Sequence, residues 1–130
     1  MKTITKEEVV RGMEGGKVLV VNVLAHEGFD KIHIRGSVSI PRKELEGGRW
    51  TEIDRGKEIV VHCSSYSCDA SRLAAEFLEE KGFQVKAYEG GIKEWAESGL
   101  PTEGRMTSVE YLEERYGRPA QAAGAQEASE

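Results

Sequence analysis

The chain has no apolar stretch approaching the ~20 residues that cross a bilayer as a helix, so we expect no contact with a membrane. Segment 1–8 contains two glutamates and lacks the apolar region of a signal peptide, which predicts a cytoplasmic protein. Positive charge is also scarce, because 18 Lys and Arg stand against 23 Asp and Glu. The resulting net charge of −5 disfavours nucleic acid as a partner.

The chain contains few of the residues that bind metals or form disulfides. Two cysteines and three scattered histidines do not form a zinc pattern, and we expect neither a metal nor another cofactor. In a reducing compartment, two cysteines are better suited to chemistry than to a structural cross-link. The chain has no internal repeat, and 130 residues are enough for one domain with a core.

What the sequence does contain is an alternation of strand and helix patterns. Apolar runs predict strands at 2–4, 18–23, 37–40, 59–62 and 84–88. Amphipathic patterns predict helices at 5–13, 70–81, 92–97 and 107–116, and a helical turn at 29–32. This alternation indicates an α/β fold of three layers, with a mostly parallel central sheet of about five strands and helices on both faces.

Several local signals refine this plan. Thr5 with Glu8, and Thr107 with Glu110, have the spacing of capping boxes. Segments 42–43 and 47–50 are predicted to be a solvated turn and a loop. We assign 1–117 to a single domain, and we expect 118–130 to be a disordered tail because nothing in it can form a core.

The most informative residue is Cys63, which closes the apolar run 59–63. A short polar stretch, 64–69, separates it from the helix that begins at Ala70. Open parallel sheets place reactive groups at this end of a strand. Loop amides and the positive end of a helix dipole favour an anion there, either a thiolate or a bound oxyanion. The residue types therefore predict cysteine chemistry on a small anionic substrate.

Four stretches, in their order and spacing, resemble the rhodanese-like sulfurtransferases. They are 20–23 with 33–41, 59–63, 70–75, and 90–95 with 99–101. The resemblance implies that Cys63 takes sulfur from a donor such as thiosulfate or a persulfide and becomes a persulfide itself. It then passes the sulfur to a thiophilic acceptor such as cyanide or a thiol. The resemblance also implies a monomer, as expected for a small family member of this size.

The resemblance also implies which residues bind the substrate. An ordinary thiol, with a pKa of roughly 8.5, is only ~3% ionised at pH 7, so the nucleophile needs stabilisation as a thiolate. We expect the backbone amides of the loop to supply it and to bind the sulfur anion. Arg72 is the nearest downstream cation. The predicted substrate-binding residues are Ser64, Ser65, Tyr66, Ser67, Cys68, Asp69 and Arg72.

The loop departs from the family pattern in its length and its charge. It is longer, and Asp69 stands where an arginine is usual. We expect a carboxylate at this position to disfavour the thiolate and to repel anionic donors. Asn22 and Leu24 replace the usual acidic residue and arginine after the second strand.

Cys68 has two interpretations. It attacks the Cys63 persulfide as a resolving thiol, releasing hydrosulfide and leaving a Cys63–Cys68 disulfide, or it is a small residue that packs under the loop.

Two other functions remain open. One is a non-catalytic or redox-sensing module that uses Cys63 and Cys68 and binds a partner protein. The other is a cysteine phosphatase or arsenate reductase, which requires an arginine where this chain has Asp69.

Residues outside the loop have simpler interpretations. We expect Gly90 and Gly91 to allow close backbone approach beside the loop and Trp95 to lie in the core. His62 should be structural, because neighbouring strand residues face opposite sides, and His26 is predicted to lie exposed in a loop.

Overall fold

A computed structural model describes residues 2–65 and 68–117. Its strands are β1 (Lys2–Thr3), β2 (Val18–Asn22), β3 (His33–Ile34), β4 (Val38–Ser39), β5 (Glu58–His62), β6 (Val85–Tyr88) and β7 (Thr102–Glu103). Five of them form one parallel sheet in the order β1-β6-β5-β2-β4. The strands β3 and β7 form a separate antiparallel pair, which the sequence analysis did not predict. The α/β class and the parallel five-stranded sheet are confirmed.

The helices of the described residues are α1 (Lys6–Glu14), α2 (His26–Lys31), α3 (Arg42–Glu46), α4 (Ala70–Glu80), α5 (Gly91–Glu97) and α6 (Ser108–Tyr116). Both capping boxes are confirmed. The hydroxyls of Thr5 and Thr107 accept hydrogen bonds from the amides of Glu8 and Glu110, respectively. In return, the amides of the two threonines donate to the carboxylates of these two glutamates. No helix in 2–65 or 68–117 is long and apolar enough to cross a bilayer.

The segment between β4 and β5 is more helical than predicted. The expected turn at 42–43 is the start of α3, and the expected loop 47–50 runs into a short 3-10 helix at Arg49–Glu52. The prediction was wrong because so short a helix has too few turns to show a periodic pattern. Its existence depends on tertiary packing, since Leu45 is fully buried against the sheet.

Each face of the sheet has its own core, because successive strand residues point to opposite sides. On one face Val21, Val61 and Cys63 pack with α3 and α4. On the other, Val20 and Val60 pack with α1, α5 and α6. Trp95 of α5 lies in the second core, as predicted, and is 2% exposed.

The topology predicts a crevice between the neighbouring strands β2 and β5. The chain continues from β2 outwards to β4, whereas β5 leads in the other direction to β6. Neighbouring strands with connections on opposite sides leave a crevice at their carboxyl ends, where α/β proteins commonly bind ligands. Cys63 follows β5 directly, so the predicted nucleophile lies at this point of the fold.

Candidate active site

The side chain of Cys63 lies inside the core formed with α3 and α4, and the residue is 1% exposed. The structure joins it to Cys68 by a disulfide that spans a Cα–Cα distance of 6.4 Å. The loop therefore curls back so that its second cysteine covers the first. In this oxidised form neither sulfur is a free nucleophile.

The side chain of Ser71 also lies close to the sulfur of Cys63. Its Oγ lies 3.7 Å from the Cys63 Sγ, in the first turn of α4, and the residue is 2% exposed. A sulfur at the amino end of α4 also lies at the positive end of the helix dipole, which favours a thiolate. The sequence analysis did not single out Ser71. The signal was available, since Ser71 shares the buried face of α4 with Ala74, Ala75 and Leu78.

The amino end of α5 holds the carbonyl groups at the start of the loop. The amide of Ile92 donates to the Cys63 carbonyl at 3.1 Å, and that of Lys93 donates to the Ser64 carbonyl at 2.9 Å. Gly91 makes this approach possible: its φ is +64°, and a Cβ there would lie 2.5 Å from the Cys63 carbonyl oxygen. The predicted close approach beside the loop is confirmed at Gly91, whereas a Cβ at Gly90 would meet the Glu94 side chain instead.

The His62 side chain contacts the Cys63 carbonyl group from the opposite face of β5. It is fully buried, and its Nδ1 lies 3.0 Å from the Cys63 carbonyl oxygen. Because a carbonyl only accepts, Nδ1 carries the proton, and burial lowers the pKa of His62 to about 4. His62 is therefore a neutral structural residue.

Asn22 lies opposite His62 in the β2–β5 register and is also fully buried. Its Oδ1 accepts from the Leu24 amide at 2.9 Å and so shapes the turn after β2. Among the described residues, Asn22 Nδ2 and His62 Nε2 have no hydrogen-bond partner. The amide that replaces the family's usual acidic residue thus has a local structural role.

The structure resolves part of the predicted substrate-binding loop. The Cys68 amide donates to the Ser65 carbonyl at 3.1 Å, so this amide closes the loop on itself. Tyr66 and Ser67 lie outside the described residues, as does the predicted tail 118–130. Whether the loop binds a substrate anion stays a prediction.

The charges beside the loop offset one another. The Arg72 guanidinium lies 3.4 Å from the Asp69 carboxylate and 3.7 Å from that of Glu76. Arg72 is thus held on the surface of α4 by two carboxylates. Within 2–65 and 68–117, no group of three or more His, Cys, Asp or Glu could hold a metal ion.

His26 has partners that the sequence did not reveal. It is the first residue of α2, so the predicted loop is wrong, although its side chain is 51% exposed. Its Nδ1 lies 2.8 Å from Ser39 Oγ, and its Nε2 lies 2.9 Å from a Glu44 carboxylate oxygen. These bonds tie α2 to β4 and α3 across residues distant in sequence.

Comparison with known proteins agrees with this architecture. The family model of the rhodanese-like domain matches residues 5–98. An HTH-type transcriptional regulator of Mycobacterium tuberculosis is 34% identical over 100 residues, which cover 77% of this chain and 44% of the regulator. The chain therefore spans less than half the length of that relative.

Solved structures match over a similar span. The BH2092 protein of Bacillus halodurans superposes with a TM-score of 0.74 at 25% identity, over 79% of this chain and 77% of the other. A thiosulfate sulfurtransferase of Pseudomonas aeruginosa superposes with a TM-score of 0.69 at 20% identity, over 82% of this chain and 21% of the other. The second likeness is one of fold alone.

Proposed function

The chain belongs to the rhodanese-like domain family, and on that premise we propose that it is a sulfurtransferase that carries sulfane sulfur on Cys63. The observation that carries the proposal is the position of the Cys63 sulfur. It lies at the carboxyl end of β5 and at the amino end of α4, 3.7 Å from a buried hydroxyl. A strand end and a helix start together suit a nucleophilic thiolate.

The first half-reaction loads the sulfur. The reduced Cys63 thiolate attacks the outer sulfur of a donor such as thiosulfate, or of a persulfide, and a new S–S bond forms. The S–S bond of the donor breaks, and sulfite or a thiolate leaves with the electron pair. The enzyme is left with a Cys63 persulfide.

The second half-reaction unloads it. Cyanide or a thiolate attacks the outer sulfur of the persulfide, and the bond from that sulfur to Cys63 Sγ breaks. Cys63 leaves as a thiolate, which the amino end of α4 and the Ser71 hydroxyl stabilise. The outer sulfur departs as thiocyanate or as a new persulfide.

The disulfide adds a condition to this cycle. Both sulfurs are engaged in the Cys63–Cys68 bond, so an external thiol must reduce it before Cys63 accepts sulfur. Reduction also frees Cys68 from its position over Cys63 and lets the nucleophile be reached.

Cys68 also supplies a way to end the cycle without an acceptor. Its thiolate attacks Sγ of the Cys63 persulfide and forms the disulfide, while hydrosulfide leaves with the electron pair and takes up a proton. The two cysteines are oxidised and the sulfane sulfur is reduced. The geometry of the disulfide supports this resolving role, since the loop already brings the two sulfurs together.

Intact mass spectrometry tests the proposal on protein that has been reduced and freed of reductant. After thiosulfate or polysulfide, the Cys68→Ser variant should gain one sulfur atom on Cys63, and cyanide should remove it. Wild type should instead release hydrosulfide and lose two hydrogens as the disulfide forms. Cys63→Ser is the control and should gain nothing.

Two outcomes would contradict these roles. The absence of an adduct with every sulfane donor rejects the sulfurtransferase. A wild-type persulfide that persists as long as that of Cys68→Ser, with no hydrosulfide released, rejects Cys68 as the resolving thiol.

A redox-sensing module is the second candidate, and two observations favour it. The structure contains the disulfide, and the 34% identical relative is a transcriptional regulator. In that case the reversible disulfide alters a surface read by a partner protein, and sulfur transfer is incidental. Reversible oxidation without any sulfur adduct in the same experiment would support this candidate over the enzyme.

A further inference from the structure

The carboxyl ends of four neighbouring strands carry a row of polar side chains that crosses the sheet. This polar row consists of Ser39, Asn22, His62 and Tyr88, which are register partners on β4, β2, β5 and β6. Register partners in a parallel sheet point to the same face, here the one that packs with α1, α5 and α6. Asn22, His62 and Tyr88 are fully buried, so their polar atoms need partners inside the protein.

The two outer members of the polar row bond to groups outside it. The Ser39 hydroxyl lies 2.8 Å from Nδ1 of His26. The Tyr88 hydroxyl donates to the Glu94 carboxylate at 2.7 Å. Among the described residues, the unpaired buried atoms of the row therefore belong to its two inner members.

The unpaired atoms of the two inner members are complementary. Oδ1 of Asn22 accepts from the Leu24 amide, so Nδ2 is the end of the side chain that has hydrogens to donate. His62 gives its Nδ1 hydrogen to the Cys63 carbonyl, so its Nε2 carries a lone pair and can only accept. A buried donor on β2 thus stands opposite a buried acceptor on β5.

The spacing of the two strands decides how this donor and this acceptor are joined. Neighbouring strands lie ~4.8 Å apart, which exceeds the ~2.9 Å of a single hydrogen bond. Two such bonds that meet at the tetrahedral angle of a water molecule span ~5 Å. Internal waters commonly join buried polar groups in this way. One water therefore fits the pair in distance and in hydrogen-bonding sense.

We propose that one internal water accepts a hydrogen bond from Asn22 Nδ2 and donates one to His62 Nε2, which makes Asn22 a positioning residue for Cys63. An imidazole ring bonded at one nitrogen only has two roughly equivalent orientations about its Cβ–Cγ bond. A ring bonded at both nitrogens keeps one orientation and keeps its hydrogen on Nδ1.

The water acts on the nucleophile through the peptide of Cys63. The Cys63 carbonyl lies 3.0 Å from His62 Nδ1 and 3.1 Å from the Ile92 amide, so two donors hold it from two elements. Fixing the ring fixes one of these donors and, with it, the direction in which the loop leaves β5. The effect on sulfur transfer rests on the proposed function, whereas the water site does not.

The first test uses wild type and requires no variant. NMR of the full chain with 15N-labelled histidine should show neutral His62 with its hydrogen on Nδ1. The Nε2 resonance should have the shift of a hydrogen-bonded acceptor, and the adjacent ring protons should show an NOE to a long-lived water. A hydrogen on Nε2, or the absence of a water contact, would overturn the proposal.

The second test is Asn22→Asp, which isolates the amide hydrogens. Aspartate keeps the oxygen that binds the Leu24 amide and replaces the NH2 group by a second acceptor. His62 should then carry a hydrogen on Nε2 at pH 7, which the 15N spectrum detects. An unchanged His62 spectrum would show that the amide hydrogens do not act on this ring, and the proposal would fall.

Ser39→Ala is the matched control, because Ser39 is the partner of Asn22 on its other side and bonds to His26. This variant should leave the 15N spectrum of His62 unchanged. Equal changes in Ser39→Ala and Asn22→Asp would count against a specific link from Asn22 to His62.

The third test measures sulfur transfer in a double-mutant cycle. Asn22→Leu should slow transfer about fivefold, the equivalent of one net hydrogen bond, and should have little effect in a His62→Phe background. Equal slowing in both backgrounds would assign the effect to the turn at Leu24 and overturn the positioning role. A water signal in wild type without any persulfide on Cys63 would reject the proposed function and leave the water site in place.

Discussion

At the scale of single residues, the site depends on what touches one sulfur atom. Cys63 Sγ is bonded to Cys68 and lies 3.7 Å from Ser71 Oγ. A hydroxyl can donate to a thiolate or to a persulfide anion, and a hydrogen bond to a charged group contributes about 1.5–3 kcal/mol. We therefore expect Ser71 to favour the ionised sulfur when Cys63 is reduced.

We predict that Ser71→Ala slows sulfur transfer at neutral pH about tenfold, because the ionised nucleophile loses this donor. The alkylation of reduced Cys63 should also shift to higher pH. Both are measured in a Cys68→Ser background, where Cys63 is the only thiol of the chain.

Ser98→Ala is the matched control, since the Ser98 hydroxyl donates to the Glu94 carbonyl on α5 instead. It should leave the alkylation profile unchanged. Identical profiles for the two variants would show that Ser71 does not act on the sulfur.

At the scale of elements, the loop is positioned by the start of α5. Two consecutive amides of α5 bind the carbonyls of Cys63 and Ser64, and the contact is close only because residue 91 has no Cβ. The strand β5 delivers the cysteine, and α5 sets the direction in which the loop leaves it.

We predict that Gly91→Ala lowers the free energy of unfolding by about 3 kcal/mol and impairs sulfur transfer. The left-handed conformation costs an alanine about 1 kcal/mol, and the collision with the Cys63 carbonyl adds to it. Urea denaturation and the transfer rate measure the two effects.

The variant Gly99→Ala separates the cost of the left-handed backbone conformation from the cost of the steric clash. Gly99 has a φ of +73°, and a methyl carbon added to it would meet no atom within 4 Å, so this variant carries the conformational cost alone. It should destabilise by about 1 kcal/mol and leave transfer unaffected. Equal losses in both variants would contradict the close approach at the loop.

At the scale of the whole molecule, the stability of the fold depends on pH through a buried base. The unfolded chain protonates His62 near pH 6.5, whereas the folded protein does so only at about pH 4. Between these values the unfolded state binds more protons, so stability falls as pH falls.

We predict that the free energy of unfolding decreases between about pH 7.5 and pH 5 by roughly 2 kcal/mol, most of the ~3 kcal/mol available over the full window. Ending the measurement at pH 5 keeps it above the pH range in which the carboxylates of Glu8 and Glu44 take up protons. Hydrogen bonds from Thr5 and Arg49, respectively, hold their pKa values below 4.5. Urea denaturation measures the slope, and NMR titration of His62 near its ordinary pKa would contradict it.

Much of the fold could be predicted because its signals are local. Residues three or four positions apart in the sequence indicate the capping boxes at Thr5 and Thr107 and the helix from Ala70. The short helix α3 and the β3–β7 pair were missed because distant packing creates them. The position of Cys63 was predictable, but its contact with Ser71 was not recognised.

By itself, the sequence determined the order of strands and helices, the strand that carries Cys63, and the glycine that lets α5 approach the loop. These depend on periodicity, capping and backbone freedom, which act over a few residues. Only the tertiary structure decided that Cys68 covers the sulfur, that His26 joins Ser39 and Glu44, and that Asn22 lies opposite His62. Such contacts depend on how the chain returns to the carboxyl edge of the sheet, and no short-range sequence pattern predicts the path that it takes.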